Sequence, residues 1–486
     1  MKKKCLAVIP FYLFFITSVS FSSPCPTDKR AGKTLTQLKE KTIAAAQVSY
    51  NWPQSPPEAQ GFNSEIFEKA SRHAEKLGFV NSLLVVRNGY LIHEEYFNGI
   101  DKDTPQKIAS VSKSFIGALV GIALREGLMT LDQKMIDFYP DYVTPNMDPR
   151  KNDITIRHLL QMLGGFWDVD TMYSSNRIKY AIEYIPLYSD PGTAFHYSTI
   201  GVHLLSGIIT RSSGMSTLDF AQMFLFDPLE ISVAAWSQDP AGIYTGGFGM
   251  EFTPRNMARF GYLYLQEGEI KGIRIISENY HQESRIPSDL SENELAGCDA
   301  VQESGYGYLW WIAKMGDTWT YLARGSGGQY IIVIPELKMV IVLTGKVLYY
   351  SAFHHVANFR LFAYLILYPI RDWLGDPPFA PDNVQGAKRI NRSLAQVEYV
   401  NEITWESSSR NQGLGVIEYR IYNIHSASKK ELLAKVDPGT CVFLHRGSEV
   451  QKESEHIYGI TAVTNDLKES IPAFVIIYSP EEGEYP

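Results

Sequence analysis

Cysteine is scarce: 486 residues hold four, at positions 5, 25, 298 and 441. A thiolate zinc site or a disulfide framework needs clustered cysteines, and four so widely spaced make neither. An excess of positive charge is also lacking. Lys and Arg number 45 against 53 Asp and Glu, a net charge of -8, so the basic surface that a nucleic-acid partner requires is absent. No apolar run after residue 19 is long enough to cross a bilayer. The chain has no internal repeat, no phosphate-binding glycine motif and no clustered His or Cys ligands. What remains is a globular composition, 45% hydrophobic and 20% charged, on a chain long enough for two domains.

The amino terminus has the layout of a signal peptide over residues 1–23. Lys2, Lys3 and Lys4 precede an apolar stretch at 6–19, and Ser18, Ser20, Ser22 and Ser23 follow it. Cleavage between Ser20 and Ser23 is expected, with export to the periplasm or out of the cell and no stable membrane span afterwards. The apolar run is short for a membrane anchor, and Pro24 ahead of Cys25 disfavours a lipoprotein. Cleavage leaves Cys25, Cys298 and Cys441, enough for one bridge with one thiol over. Residues 24–50 read as a polar leader.

The chemistry centres on residues 108–124, where Ser110-Val111-Ser112-Lys113 opens a helix of small and apolar residues with no further charge until Arg125. Residues three apart share a helix face, so Ser110 and Lys113 point into one cleft. A serine hydroxyl becomes a useful nucleophile when a base sits beside it, and a lysine in an apolar site can be that base. The helix start supplies the Ser110 N–H for an oxyanion. Spacing alone is weak support, since Ser426-x-x-Lys429 repeats it in what reads as a solvated loop.

Elsewhere, 66–77 has helical periodicity. Strands at 83–87 and 90–97 flank Asn88-Gly89, a hairpin signal. Thr155 caps a helix at 156–163, in which His158 reads as structural rather than as a base. Pro191-Gly192-Thr193 leads past Tyr197 into a helix at 202–209, and Thr253-Pro254-Arg255 opens another. Residues 305–311 read as one aromatic strand. Arg324-Gly325-Ser326-Gly327-Gly328 is a glycine-rich loop before strands at 330–334 and 339–344, and 353–368 is a long apolar helix. The proline-rich stretch at 376–382 predicts a linker over 376–397 and a chain that can be cut between Asp376 and Lys388 with an active amino-terminal part. Beyond it come only strands, at 402–405, 416–422, 432–436, 441–444, 458–464 and 473–478, as in a β-sandwich.

Together these pieces resemble the serine β-lactamase and penicillin-binding-protein superfamily over residues 51–375, in its class C-related branch of esterases and 6-aminohexanoate-dimer hydrolases. The resemblance implies an α+β fold: a β-lactamase/transpeptidase-like antiparallel sheet flanked by helices, with an inserted helical lobe. A C-terminal all-β sandwich over 398–486 resembles a fibronectin type III module, through Glu402-Ile403-Thr404-Trp405 and the tyrosine strands at 419–422 and 458–463. By the same resemblance Ser110 is the acylated nucleophile, and Lys113 and Tyr197 are its coupled proton-transfer partners. The backbone N–H groups of Ser110 and Ser326 form the oxyanion hole, and Thr199, Arg324, Gly325, Gly327 and Gly328 contact substrate. Two motifs depart from the family pattern. Tyr-x-Asn reads Tyr197-Ser198-Thr199, and the Lys/His-x-Gly loop offers neither lysine nor histidine. The expected activity is hydrolysis of small esters, amides or peptide-like substrates without metal or organic cofactor. The alternatives are a β-lactamase or cell-wall D-Ala-D-Ala peptidase, and a catalytically silent binding or sensor protein, which an intact Ser110, Lys113 and Tyr197 disfavours.

Overall fold

A computed structural model describes residues 50–478, apart from 167–173, 292–294, 296–299, 348–351, 393–396, 427–428 and 452–454. The expected signal peptide over residues 1–23, nearly all of the expected leader, and Cys5, Cys25 and Cys298 lie outside the described residues. Cys441 is a free, exposed thiol.

Seven antiparallel strands form the main sheet: β1 Val80–Arg87, β2 Tyr90–Tyr96, β3 Glu303–Tyr306, β4 Trp311–Met315, β5 Thr318–Gly325, β6 Gln329–Ile334 and β7 Met339–Gly345. Their order is β2-β1-β7-β6-β5-β4-β3, so the first hairpin and the last strand of the segment pair at its centre. Asn88 and Gly89 both take positive φ, 49° and 83°, as the two-residue hairpin requires. Strands β1, β6 and β7 lack polar alternation because helices cover both faces of the sheet.

On one face lies α1, Ser64–Lys76, capped by the Asn63 side chain on Glu65 N–H. On the other lies α2, Ser112–Arg125, buried from Ser112 to Ala123 and apolar on all sides. The Phe115 ring stacks on Phe260 at 3.8 Å and on Phe252 at 4.8 Å. Gly121 leaves room for Tyr280, whose ring stands 2.5 Å from where a Cβ would fall. The inserted lobe runs through α3 Ile156–Leu160, α4 Arg177–Glu183 and α5 Thr199–Ser213, which Ser198 caps on Gly201 N–H. Helix α6, Pro254–Leu265, returns to the sheet, and its Gly261 rests on Ile331 and Val340. After β7 come α7 Ala352–Phe362, a wide turn at Ala363–Leu367, and α8 Tyr368–Leu374. Among the described residues no helix is long and apolar enough to cross a membrane.

Two expectations need correction. Residues 305–311 are not one strand. The chain reverses between β3 and β4 with Leu309 at φ 59°, because Gly307 is pressed to within 2.1 Å (Cβ direction) of the Ser284 carbonyl. Nor is 376–397 a linker throughout, since residues 382–392 form strand β8, Asp382–Arg392. Its sequence carries Lys388, Arg389 and Arg392 and little apolar alternation, which suits a sheet edge and hides the strand from periodicity.

The carboxy-terminal part holds two sheets. One is β8-β9-β12, with β9 Val397–Glu406 and β12 Val442–His445. The other is β11-β10-β13-β14, with β10 Val416–Ser426, β11 Lys429–Val436, β13 His456–Thr464 and β14 Ala473–Ile477. Ile403 and Trp405 from the first sheet meet Tyr419, Ile421, Tyr458 and Ile460 from the second in a small core. This sandwich is not a free appendage, for the described residues form one compact unit. Phe474 packs against Tyr364 and Tyr368 with ring centroids at 4.6 and 5.1 Å, Arg360 pairs with Glu455, and Tyr478 hydrogen-bonds His73 at 2.9 Å.

Candidate active site

Ser110 lies in a single 3-10 turn, Ala109–Val111, that feeds directly into α2. Ala109 takes φ 47°, a left-handed conformation that an alanine adopts only when its surroundings impose it. The constraint is visible in the end of β5. The Cβ direction of Gly325 points 2.4 Å from Ile108 O and 3.1 Å from Ser110 N, so strand and turn touch backbone to backbone. Any side chain at 325 would push the strand off the serine. Ser326 follows, half-buried, at the mouth of the β5–β6 hairpin.

Lys113 is 2% exposed, and its ammonium group has three hydrogen-bond partners: Ser110 Oγ at 3.0 Å, Thr199 Oγ1 at 3.3 Å and the Gly247 carbonyl at 2.9 Å. No carboxylate pairs with it among the described residues, and a buried cation needs such polar partners. Two of the three are hydroxyls, which can donate as well as accept. The set therefore also serves an uncharged amine. An uncharged amine would place two N–H groups on Gly247 O and Thr199 Oγ1 and leave its lone pair facing Ser110 Oγ.

Tyr197 stands just before α5. Its ring stacks on Trp311 with centroids 5.6 Å apart, meets Tyr306 edge-on at 6.1 Å, and has Lys113 Nζ 4.8 Å from its centroid. Arg324 also lies over Trp311, its guanidinium carbon 5.4 Å from the ring centroid. Its Nε donates to His355 Nδ1 at 3.1 Å, and Tyr330 OH lies 2.7 Å from the same nitrogen. Burial, and then the nearby Arg324 charge, push the His355 pKa down to about 3, so the ring stays a neutral acceptor.

The remaining glycines of the loop face inward. Gly327 (φ 79°) abuts the Lys346 carbonyl, and Gly328 (φ 83°) abuts Asn358, whose amide donates to the Gly328 carbonyl at 3.1 Å. They shape the hairpin rather than line open space. His158 accepts from Thr155 N–H at 3.3 Å in a capping box, the local role of a helix-start residue. Ser426 and Lys429 face each other across the β10–β11 pair, where Lys429 is exposed.

Sequence reasoning missed Gly247, Trp311 and His355. Gly247 carries the carbonyl that holds Lys113 and sits with its Cβ direction 2.4 Å from Thr199 Cγ2. A pair of glycines ahead of a helix cap was the one available signal.

Sheet, buried helix and a Ser-x-x-Lys pair in this geometry define a β-lactamase-type hydrolase fold. The beta-lactamase family's sequence model matches residues 74–364, and the chain belongs to that family. Among characterised relatives, the 6-aminohexanoate-dimer hydrolase of Paenarthrobacter ureafaciens is 24% identical over 292 residues, 54% of this chain and 71% of the relative. The beta-lactamase of Escherichia coli K12 is 22% identical over 302 residues, 50% of this chain and 76% of the relative. A solved structure of a putative 6-aminohexanoate-dimer hydrolase from Bacillus anthracis superposes with TM-score 0.51 at 20% identity, covering 69% of this chain and 93% of that one. At that identity the superposition speaks to fold alone.

Proposed function

We propose that this protein is a serine hydrolase that cleaves ester or amide bonds of small substrates through an acyl-enzyme on Ser110. The observation that carries this reading is the buried Lys113 amine, 3.0 Å from Ser110 Oγ with no carboxylate partner among the described residues. Neutral Lys113 takes the Ser110 proton as Oγ attacks the substrate carbonyl carbon. The carbonyl oxygen becomes an oxyanion held by the N–H groups of Ser110 and Ser326. The tetrahedral intermediate collapses, the bond to the leaving group breaks, and Lys113 with Tyr197 returns the proton to the departing oxygen or nitrogen. Water then attacks the acyl-enzyme, gives its proton to the same pair, and releases the acid as Ser110 regains its hydrogen. Lys113 and Tyr197 act as a coupled pair here, so neither is singled out as the base.

Small esters are the preferred substrates, ahead of penicillins and cephalosporins. Thr199 gives its hydroxyl to Lys113 and stands where β-lactam-acting relatives present an asparagine, and the loop at 323–328 supplies only Arg324 as a cation. Losing one charged hydrogen bond to the antibiotic's carboxylate is worth about 1.5–3 kcal/mol, roughly ten- to a hundredfold. The second reading is β-lactamase or D-Ala-D-Ala peptidase activity, and Arg324 above Trp311 is the feature that favours it. The sandwich, with its three-plus-four strand arrangement, fits a fibronectin type III-like module, and the amino terminus an export signal for a periplasmic or secreted enzyme.

A fluorophosphonate label read by intact mass tests the chemistry. The wild type should gain one adduct and Ser110→Ala none. Labelling of a folded Ser110→Ala protein would remove the nucleophile assignment. Nitrocefin turnover at a kcat/KM equal to or above that for p-nitrophenyl butyrate would promote the β-lactamase reading.

A further inference from the structure

Behind the site lies a buried His–Asp pair that the mechanism above does not use. His203, on the second turn of α5, and Asp239, in the turn that leads back toward α6, are each 4% exposed. His203 Nε2 and Asp239 Oδ2 are 3.1 Å apart. The other carboxylate oxygen accepts from Ala241 N–H at 3.0 Å and Ile243 N–H at 2.9 Å. On its opposite edge, His203 Nδ1 accepts from the N–H of Gly246 at 3.4 Å.

This last contact settles the tautomer. A backbone N–H only donates, so Nδ1 must carry a lone pair, and the ring hydrogen sits on Nε2 and goes to Asp239. Burial raises the Asp239 pKa, but the His203 hydrogen bond and the Ile243 N–H outweigh it and bring the carboxyl below its usual value, so it is an acceptor at neutral pH. The pair ends one residue from the group that matters. Gly246 lies on the α5 backbone, its Cβ direction 2.2 Å from Val202 O, and the next residue's carbonyl holds Lys113 Nζ at 2.9 Å.

We propose that His203 and Asp239 are positioning residues for proton transfer: by fixing the Gly246 N–H they aim the Gly247 carbonyl at Lys113 and so turn its lone pair toward Ser110. This rests on the reading of Lys113 as a proton carrier. Neighbouring ties also hold the strap, at Tyr244 O through Ser206 Oγ (2.6 Å) and at Thr245 O through Trp236 Nε1 (2.8 Å). The second of these holds the oxygen edge of the same planar peptide whose N–H meets His203, so Trp236 and His203 clamp that plane from its two edges.

The sharpest perturbation is Asp239→Asn, which changes no volume. The new amide keeps its oxygen toward the Ala241 and Ile243 N–H groups and turns its NH2 toward His203 Nε2. The ring then shifts its hydrogen to Nδ1, where it opposes the Gly246 N–H. Expected on p-nitrophenyl butyrate is a ten- to hundredfold loss of kcat with KM within about twofold. His203→Asn places an acceptor near the former Nδ1 without the link to Asp239, and should lose less than tenfold. Added to Asp239→Asn it should raise kcat above that of the single mutant, an outcome that a merely structural pair does not produce.

Lys113→Ala is assayed beside them. If it loses more than a hundredfold while folded Asp239→Asn stays within threefold of wild type, the positioning role is wrong and the lysine reading stands. If neither loses activity, both are wrong. Histidine 15N spectra of the wild type, assigned by difference from His203→Asn, give a measurement independent of how the variants fold. An unprotonated Nδ1 is expected, and a hydrogen on Nδ1 overturns the proposal.

Discussion

Replacing Gly247 with alanine puts the catalytic geometry to a demanding test. The added methyl falls 2.4 Å from Thr199 Cγ2 and 3.3 Å from Lys113 Nζ. Ordinary carbon–carbon contact begins near about 3.5 Å, so something must move by about 1 Å. Either Thr199 swings its hydroxyl away, or the strap withdraws and takes the Gly247 carbonyl with it. Each removes one of the three partners of Lys113. Leaving a buried polar group without one of its partners costs about 1–3 kcal/mol, so kcat should fall roughly 5- to 100-fold. Overpacking should cost about 1–3 kcal/mol of stability, a shift in Tm that leaves the protein folded at 25 °C. The assay is kcat and KM on p-nitrophenyl butyrate with a thermal melt of each protein. Gly439→Ala is the control, since nothing lies within 4 Å of its Cβ direction, and it should match wild type in both. A folded Gly247→Ala enzyme with kcat within twofold of wild type would refute the claim that this carbonyl organises Lys113.

Lys113→Ala and Tyr197→Phe should each lower kcat by about 10²-fold or more, because both move protons; full activity of Tyr197→Phe on several esters would remove its role. Acid should destabilise the fold through His281, fully buried with Nε2 bonded to Tyr264 O at 2.8 Å, and held by burial at a pKa of about 4. The unfolded chain binds this proton below about 6.5 and the folded one only below about 4, so stability falls with falling pH across that window, by about 3 kcal/mol in all. Urea titrations from pH 4 to 7 should show the slope reduced by about one proton in His281→Gln, and an unchanged slope would contradict this. Truncation after Gly375 strips Phe474 and Ile457 from the shared core and should cost on the order of 5 kcal/mol, so the fragment should melt far lower or aggregate; an equally stable, active fragment would restore the view of two independent parts.

Local patterns carried much of the fold. Asn88-Gly89 between apolar runs dictates its hairpin because two successive left-handed residues suit few others. Thr155, Ser198 and Thr253 start helices because their hydroxyls satisfy N–H groups that any helix start leaves open. The apolar helix after Lys113 reads as buried from composition alone. Periodicity failed where neighbours far along the chain decide the outcome. Residues 305–311 turn back because Ser284 blocks Gly307, and β8 forms because β9 is there to pair with it.

The same division runs through the site. Ser110 and Lys113 are three apart on one turn, so their meeting is local and the sequence alone determined it. Thr199 and Gly247 reach the same nitrogen from 86 and 134 residues away; the Tyr197-Ser198-Thr199 motif marked the first as a site residue, but nothing around Gly247 announces its contact. Arg324 could be read as a cation near the cleft, but its placement over Trp311 and against His355 depends on β4, β5 and α7 packing together. Covalent spacing sets which groups can meet within a helix turn. Which groups meet across the chain is set by the sheet and the helices laid on it, because only a packed core holds distant backbone still to within a few tenths of an ångström.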